Sequence, residues 1–464
     1  MSDATAASAP TRHLADFVAR LTYEDLPERV RSRTKEIVLD AFASALAGHD
    51  ASESPKVIEM AREMGASTEA SVIGGGRLSM AGATIVNGYL ITAVTVCDIH
   101  RPSMCHVTPE VISPALVTAE ASASSGRDFL VAVAAGLEVT TRVGLGVEPR
   151  AFRARGWHSP GVTGPFGGAA AVGKLLGLDA DRQNMAFGIA GSQSAGTYAQ
   201  LGTSTIKFVQ ARGALSGLMA GRLARHDFSA ASEILTNPDG GLFSAYAEGG
   251  DVDSLLAGLG EAWELMQMSL RAWPVAVHLQ PVVTGLMKLM ETGNLEPDKL
   301  ANVRVFVSPT AYRMHAQVRW DDRFRARLST PYVTAVVLHD HRCWLEQFTA
   351  DRVGDPLLER FIAEKVRVTA DPDLADGTCV IEIEDGTGQT LQERVFSAKG
   401  EPDNPLSREE IKAKLIAARR GIISEAAVER LAAMVWDIED VRDVAVISNT
   451  LRATAPAASI HGGS

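Results

Sequence analysis

LPERVRSRTKEIVLDAFASALAG, residues 26–48, sets Val30, Ile37, Val38, Ala41, Phe42 and Ala45 at helical spacing, so that one stripe is apolar and the remainder polar. Pro27 stands near its start and Gly48 at its end, residue types that open and stop a helix. Outward from this segment the texture repeats. The stretches 80–96, 110–123, 127–143, 167–177, 180–195 and 207–225 are rich in Ala, Leu, Val and Met, with Gly and Ser scattered through them. Small residues let helices approach closely, which predicts a packed all-helical body with tight crossings.

Past residue 268 the pattern changes. VRVFVSP at 303–309, KVRVTADP at 365–372 and CVIEIEDGTGQTLQERVFS at 379–397 alternate as strands do, the last folding back around Asp385-Gly386-Thr387-Gly388. Helical patterns at 327–339 and 355–364 lie among them, and helix signals return at 406–419 and 423–435, with Ser407 as N-cap and Glu409 and Glu410 in the opening turn. The reading is a mainly α protein. A large, discontinuous all-helical domain covers 1–268 with 404–452 returning to it, a smaller α+β domain covers 269–403, and 453–464 reads as a disordered tail.

The 464 residues carry a formal charge of −11, which argues against nucleic acid as a partner. Cys97, Cys105, Cys343 and Cys379 form no CxxC pair and no metal-type cluster with His, so neither a zinc site nor a disulfide framework is expected. MSDATAASAPTR at the start lacks the apolar core of a signal peptide, and no run reaches the roughly 18 to 20 apolar residues of a membrane span. The expectation is a cytoplasmic protein with no membrane partner.

Charge is unevenly distributed. Residues 149–226 hold nine basic side chains, Lys207 and Arg212 among them, against Asp179 and Asp181, a local +7 that leaves −18 for the rest of the chain. Such a field can draw a small anion; the alternative is a set of buried helices whose few charges sit at solvated ends. Among eleven histidines, His100, His106, His158 and His278 lie near turns and prolines, where loops can aim side chains into a shared cavity. Imidazole suits proton transfer at neutral pH, and Lys207 can hold a carboxylate. Gly144-Leu145-Gly146 has no preceding strand, Gly74-Gly75-Gly76 lacks the Lys of a phosphate loop, and neither HExxH nor GxSxG occurs.

Taken together, the segments resemble the MmgE/PrpD family of 2-methylcitrate dehydratase, cis-aconitate decarboxylase and iminodisuccinate epimerase relatives. The resemblance spans roughly 14–440 and rests on an ordered set: NGYLITAVTVCDIHRPSMCHVTPEVISPAL (87–116), RARGWHSPGVTGPFGGAAAVGKLLGL (153–178), TSTIKFVQARGALSGLMAG (203–221), SEILTNPDGGLFSAY (232–246), SLRAWPVAVHLQPVVTG (269–285), and LSTPYVTAVVL with CWLEQFT (328–349). It implies a helical domain with a smaller lid domain, a homodimer, a site in the cleft between domains, and chemistry beside a carboxylate without metal or organic cofactor. By resemblance Asp98, His106, His158, Lys207, His278 and Tyr332 are the catalytic candidates, with Asp98 orienting one imidazole. Arg153, Lys207, Gln210 and Arg271 are the candidates for binding a small anionic carboxylate. The chain departs from its relatives at Cys97 and Ile99, where an acid and a threonine are common, at Val107 for proline, and at Gln210 for histidine. The first expectation is a hydro-lyase acting on a hydroxy di- or tricarboxylic acid of the 2-methylcitrate type. A dicarboxylate epimerase, a cis-aconitate-type decarboxylase and a non-catalytic binding paralogue are the alternatives.

Overall fold

The computed structural model describes residues 9–65, 67–293 and 295–452, so the expected tail at 453–464 lies outside the described residues. The chain is mainly helical and divides into two compact units. The larger runs to Ala93, continues over Cys97–Met268 and resumes at Ser407; the smaller comprises Val94–Val96 and Ser269–Leu406.

In the larger unit the stretch that opened the sequence reading forms the helix Glu28–Gly48, with Val30, Ile37, Val38, Phe42 and Ala45 fully buried. The later apolar stretches become the helices Met80–Thr92, Thr108–Ala121, Gly126–Gly146, Ser159–Leu175, Ala180–Ser192 and Thr205–Arg225. One of these begins earlier than its periodicity suggests: Ser159–Leu175 takes in Pro160 in its first turn, where the missing N–H costs nothing, and carries Pro165 inside. The unit is not wholly helical, because Ala70–Ser71 pairs antiparallel with Arg77–Leu78. Among the described residues one helix, Gly126–Gly146, is long and apolar enough to cross a membrane, and its most apolar stretch is almost wholly buried within the fold.

Glycine sets the packing of two helices. A Cβ on Gly217 would stand 2.7 Å from Gly168 Cα, and one on Gly221 would stand 2.6 Å from Val172 Cγ1. A Cβ on Gly161 would likewise strike Val209. The pairs 161/209, 168/217 and 172/221 advance together along both chains, so Ser159–Leu175 and Thr205–Arg225 run parallel with their N-termini side by side. The returning segment supplies Arg408–Arg419, opened by a capping box in which Ser407 N donates to Glu410 Oε2 (2.7 Å) and Glu410 N to Ser407 Oγ (3.2 Å). Buried Lys414 anchors it by donating to Asp40 of Glu28–Gly48.

The smaller unit is built on a four-stranded sheet in the order Val366–Ala370, Leu300–Val307, Cys379–Asp385, Thr390–Val395; the first pair is parallel and the others antiparallel. Inward-facing Val303, Val305, Ile381 and Ile383 pack in one core with Val282, Leu286, Val333 and Val337 from the helices Gln280–Thr292 and Thr330–Asp340. Asp385 closes the final hairpin, its Oδ1 accepting from the N–H of Thr387 (2.9 Å) and Gln389 (3.0 Å).

The helix crossing yields the first prediction. Gly217→Ala must force two backbones apart and costs about 1–3 kcal/mol, the range for overpacking a tight core. Gly76→Ala, where an added Cβ meets nothing within 4 Å, is the control and leaves the denaturation midpoint in place. Chemical denaturation of both variants beside the parent checks this.

Candidate functional site

Four of the larger unit's candidates stand at or just before three helix N-termini. The turn before Thr108–Ala121 holds Asp98 and His106, His158 is the N-cap of Ser159–Leu175, and Lys207 lies in the first turn of Thr205–Arg225. Helix N-termini present unpaired N–H groups and the positive end of the macrodipole, a setting that favours anions.

Asp98 is fully buried, and its carboxylate is committed to backbone. Oδ2 accepts from Val107 N (2.8 Å), while Oδ1 accepts from Thr108 N (3.1 Å) and from the Thr108 hydroxyl. Burial, then Cys97, raises its pKa to about 6, against the pull of His106 and of these hydrogen bonds. The imidazole beside Asp98 meets its backbone carbonyl and not its carboxylate. His106 Nδ1 is held by the backbone carbonyl of Asp98 at 2.7 Å. A carbonyl can only accept, so Nδ1 carries the proton and, in the neutral ring, Nε2 carries the lone pair.

His158 is 5% exposed, and its backbone N–H donates to Gly196 O at 3.0 Å. Burial, followed by the positive charges of His106, Lys207 and Arg153, pushes its pKa down to about 3, so the ring is neutral at physiological pH. Those influences also show that the structure brings His106, His158, Lys207 and Arg153 together, although 101 residues separate His106 from Lys207. Lys207 is itself buried, whereas Arg153 is half-buried with its guanidinium 3.0 Å from the centre of the Tyr198 ring. Gln210, one turn beyond Lys207, is buried, and its Oε1 has no hydrogen-bond partner among the described residues. His100 turns instead into the core, with Nδ1 against Ser103 Oγ at 2.8 Å and Nε2 3.4 Å from Glu264.

Two residues that the sequence reading did not place at the site belong here. Arg212 donates to the carbonyls of Gln193 (2.6 Å), Gly161 (2.9 Å) and Ala195 (2.8 Å), pinning the loop whose Gly196 receives the His158 N–H. Its signal was its position in the acid-free stretch between Arg182 and His226. Glu110, in the first turn of Thr108–Ala121, is fully buried, and both carboxyl oxygens lack a hydrogen-bond partner among the described residues. Its side chain fills a slot opened by glycines, since a Cβ on Gly164 would clash with Glu110 Cγ and one on Gly213 would stand 3.2 Å from it. Burial, reinforced by Asp98 and Cys97, raises its pKa well above the ordinary carboxyl value, which favours the protonated acid.

In the smaller unit, Arg271 is buried and His278 half-buried in the segment leading into Gln280–Thr292. His278 Nδ1 lies 3.2 Å from Nε2 of His315. Tyr332 does not meet the expectation of a catalytic role. It is fully buried in the core, its hydroxyl donates to Gln347 O at 2.6 Å, and its ring packs beside Trp320 and Phe348. Burial raises its pKa, so the phenol stays protonated. The four cysteines are buried free thiols, and among the described residues no group of three or more His, Cys, Asp and Glu could hold a metal ion.

Family models describe this arrangement in two pieces: the MmgE/PrpD N-terminal domain matches residues 12–255 and the MmgE/PrpD C-terminal domain matches 273–440. The chain belongs to the MmgE/PrpD family. It is 28% identical to a cis-aconitate decarboxylase of Aspergillus terreus (strain NIH 2624 / FGSC A1156), covering 96% of each chain. It is 27% identical to a cis-aconitate decarboxylase-like protein of Aspergillus oryzae, over 96% of this chain and 97% of the relative. With the Mus musculus cis-aconitate decarboxylase it shares 25% identity, over 95% of this chain and 93% of the relative.

The buried acid gives a pH prediction. Above the ordinary carboxyl range the unfolded chain releases the Glu110 proton while the folded chain keeps it, so the parent loses stability as pH rises from there toward the raised folded value. Glu110→Gln has no such proton to retain. The variant gains on the parent in melting temperature as pH rises above the ordinary carboxyl range, and melting curves over a pH series test it.

Proposed function

We propose that the chain is a lyase acting on a small polycarboxylic acid, with decarboxylation of cis-aconitate as the leading reaction. The observation that carries the proposal is the buried His158 at a helix N-terminus, within electrostatic reach of His106, Lys207 and Arg153. A multiply charged organic anion is the ligand this field favours. The family matches support lyase chemistry, and relatives named as decarboxylases over nearly their full length move decarboxylation ahead of the dehydration expected from sequence.

In this reading Lys207 and the helix N-termini hold substrate carboxylates, with Arg153 as a further clamp. One carbon–carbon bond to a carboxylate breaks, its electron pair passes into the conjugated acid, and carbon dioxide leaves. His106, in its imidazolium form, delivers the proton that quenches the carbanion through Nε2. His158 remains neutral and donates an N–H to the charge developing on the carboxylate oxygen, an electrostatic contribution that is usually the largest in such reactions. His278 and Arg271 stay in the proposal as a proton-transfer group and a carboxylate-binding cation. The homodimer that the resemblance implies and the cytoplasmic setting expected from the sequence belong to the same reading.

Purified protein incubated separately with cis-aconitate, 2-methylcitrate, citrate and iminodisuccinate in deuterated water decides among the chemistries. Carbon dioxide from cis-aconitate, with one deuterium on the product carbon, is expected. Alkene formed from the hydroxy acids, or deuterated iminodisuccinate of inverted configuration, would replace decarboxylation with dehydration or epimerisation, and no reaction on any of the four would overturn the proposal.

Lys207→Ala lowers kcat/KM for cis-aconitate by about 10²-fold or more, the scale for removing one preorganised electrostatic donor, while the melting temperature changes little. Parallel losses in activity and melting temperature would make Lys207 a structural residue.

A further inference from the structure

The smaller unit contains a pair of imidazoles whose proton positions follow from geometry. His315, at the end of the helix Pro309–His315, is 4% exposed, and its Nδ1 lies 2.8 Å from Leu328 O. A backbone carbonyl has no proton to give, so His315 Nδ1 must be the donor. A buried imidazole with one N–H committed in this way offers a bare lone pair at the other nitrogen, and that nitrogen, Nε2, faces His278 Nδ1 at 3.2 Å. The rings stand 5.2 Å apart at an interplanar angle of 41°, beside each other rather than stacked face to face.

We infer that His315 is a positioning residue that sets the tautomer of His278: the Leu328 carbonyl fixes the His315 proton on Nδ1, His315 Nε2 accepts from His278 Nδ1–H, and the reactive lone pair of His278 is placed on Nε2. The direction of the chain is carbonyl, imidazole, imidazole. Burial first, and the neighbouring His278 second, push the His315 pKa down to about 3, which keeps the middle ring neutral and able to accept. A free imidazole in water is not held to one tautomer; here the hydrogen bond at one nitrogen dictates the state of the other. The arrangement does for His278 what the Asp98 carbonyl does for His106, with a second ring inserted between carbonyl and histidine.

The inference deepens the lyase proposal and rests on it for the role of His278, but its primary test does not. In protein selectively labelled with 15N-histidine and containing no substrate, the His278 ring, identified by its loss in His278→Gln, shows a pyrrole-type Nδ1 and a pyridine-type Nε2. His315→Phe, which keeps a ring but removes the acceptor, abolishes that preference, and His315→Gln, whose amide can still donate to Leu328 O and accept from His278, retains it. A wild-type His278 protonated on Nε2, or a tautomer unchanged in His315→Phe, overturns the inference. If His315→Phe does not fold, the wild-type and His315→Gln spectra still decide it. With cis-aconitate, His315→Phe lowers kcat by about 10- to 100-fold with KM little changed, as when an imidazole loses its outer hydrogen-bond partner, and His315→Gln recovers most of the loss. The relay established by the spectra beside an unchanged kcat in His315→Phe would overturn the catalytic assignment of His278 and leave the relay standing.

Discussion

The larger unit depends on a costly alignment: two parallel helices, Ser159–Leu175 and Thr205–Arg225, packed so closely that glycine is required where they touch. Parallel macrodipoles side by side repel, and the repulsion concentrates where the unpaired N–H groups gather at the N-terminal ends. His158 and Lys207 stand at those ends, with His106 just ahead of a third helix N-terminus, at Thr108. Without a ligand the fold carries this field as a cost. The anion proposed as substrate would relieve it, so the packing that makes the crossing tight also suits the proposed function.

Burial then divides labour among groups of the same type. Burial, aided by neighbouring positive charge, keeps His158 neutral, whereas His106 is directed by a carbonyl and Asp98 is absorbed in hydrogen bonds to the start of the helix that follows it. Glu110 takes this to its limit. A carboxyl without a hydrogen-bond partner, deep among Ala and Gly, is tolerated because it is neutral, and as a neutral acid it adds no negative charge beside the place where an anion would bind.

Much of the fold was legible in the sequence because burial writes itself in periodicity. The stripe through Val30, Ile37 and Phe42, the alternation in the 303–309 and 379–397 strands and the Ser407 cap with Glu410 each became the expected element. The parallel pairing of Ser159–Leu175 with Thr205–Arg225 was not, since scattered glycines indicate close approach without naming the partner. Among the candidates, His106 and His158 stood out in the sequence by their turns, Lys207 by the acid-poor stretch around it, and all three by the family resemblance. Glu110 was not, because one acid in an apolar helix reads equally as a solvated end. Tyr332 was misassigned because an aromatic with a hydroxyl suits a core as well as a site, and only the Gln347 carbonyl shows which. His315 carries no local signal, being 37 residues from His278 in the chain.

The same device occurs in each unit. Where a histidine must present one defined nitrogen, an Asp or Glu carboxylate against the other nitrogen is the frequent solution, and it brings a full negative charge. Here His106 is set by the Asp98 carbonyl and His315 by the Leu328 carbonyl. Carbonyls fix tautomers as firmly as carboxylates do, while contributing only a partial charge. For an enzyme whose proposed substrate already carries two or three carboxylates, every fixed anion near the reacting carbon would oppose binding and the build-up of negative charge in the transition state. Using backbone oxygen as the orienting acceptor adds no further carboxylate at His106 Nδ1 or at His315 Nδ1.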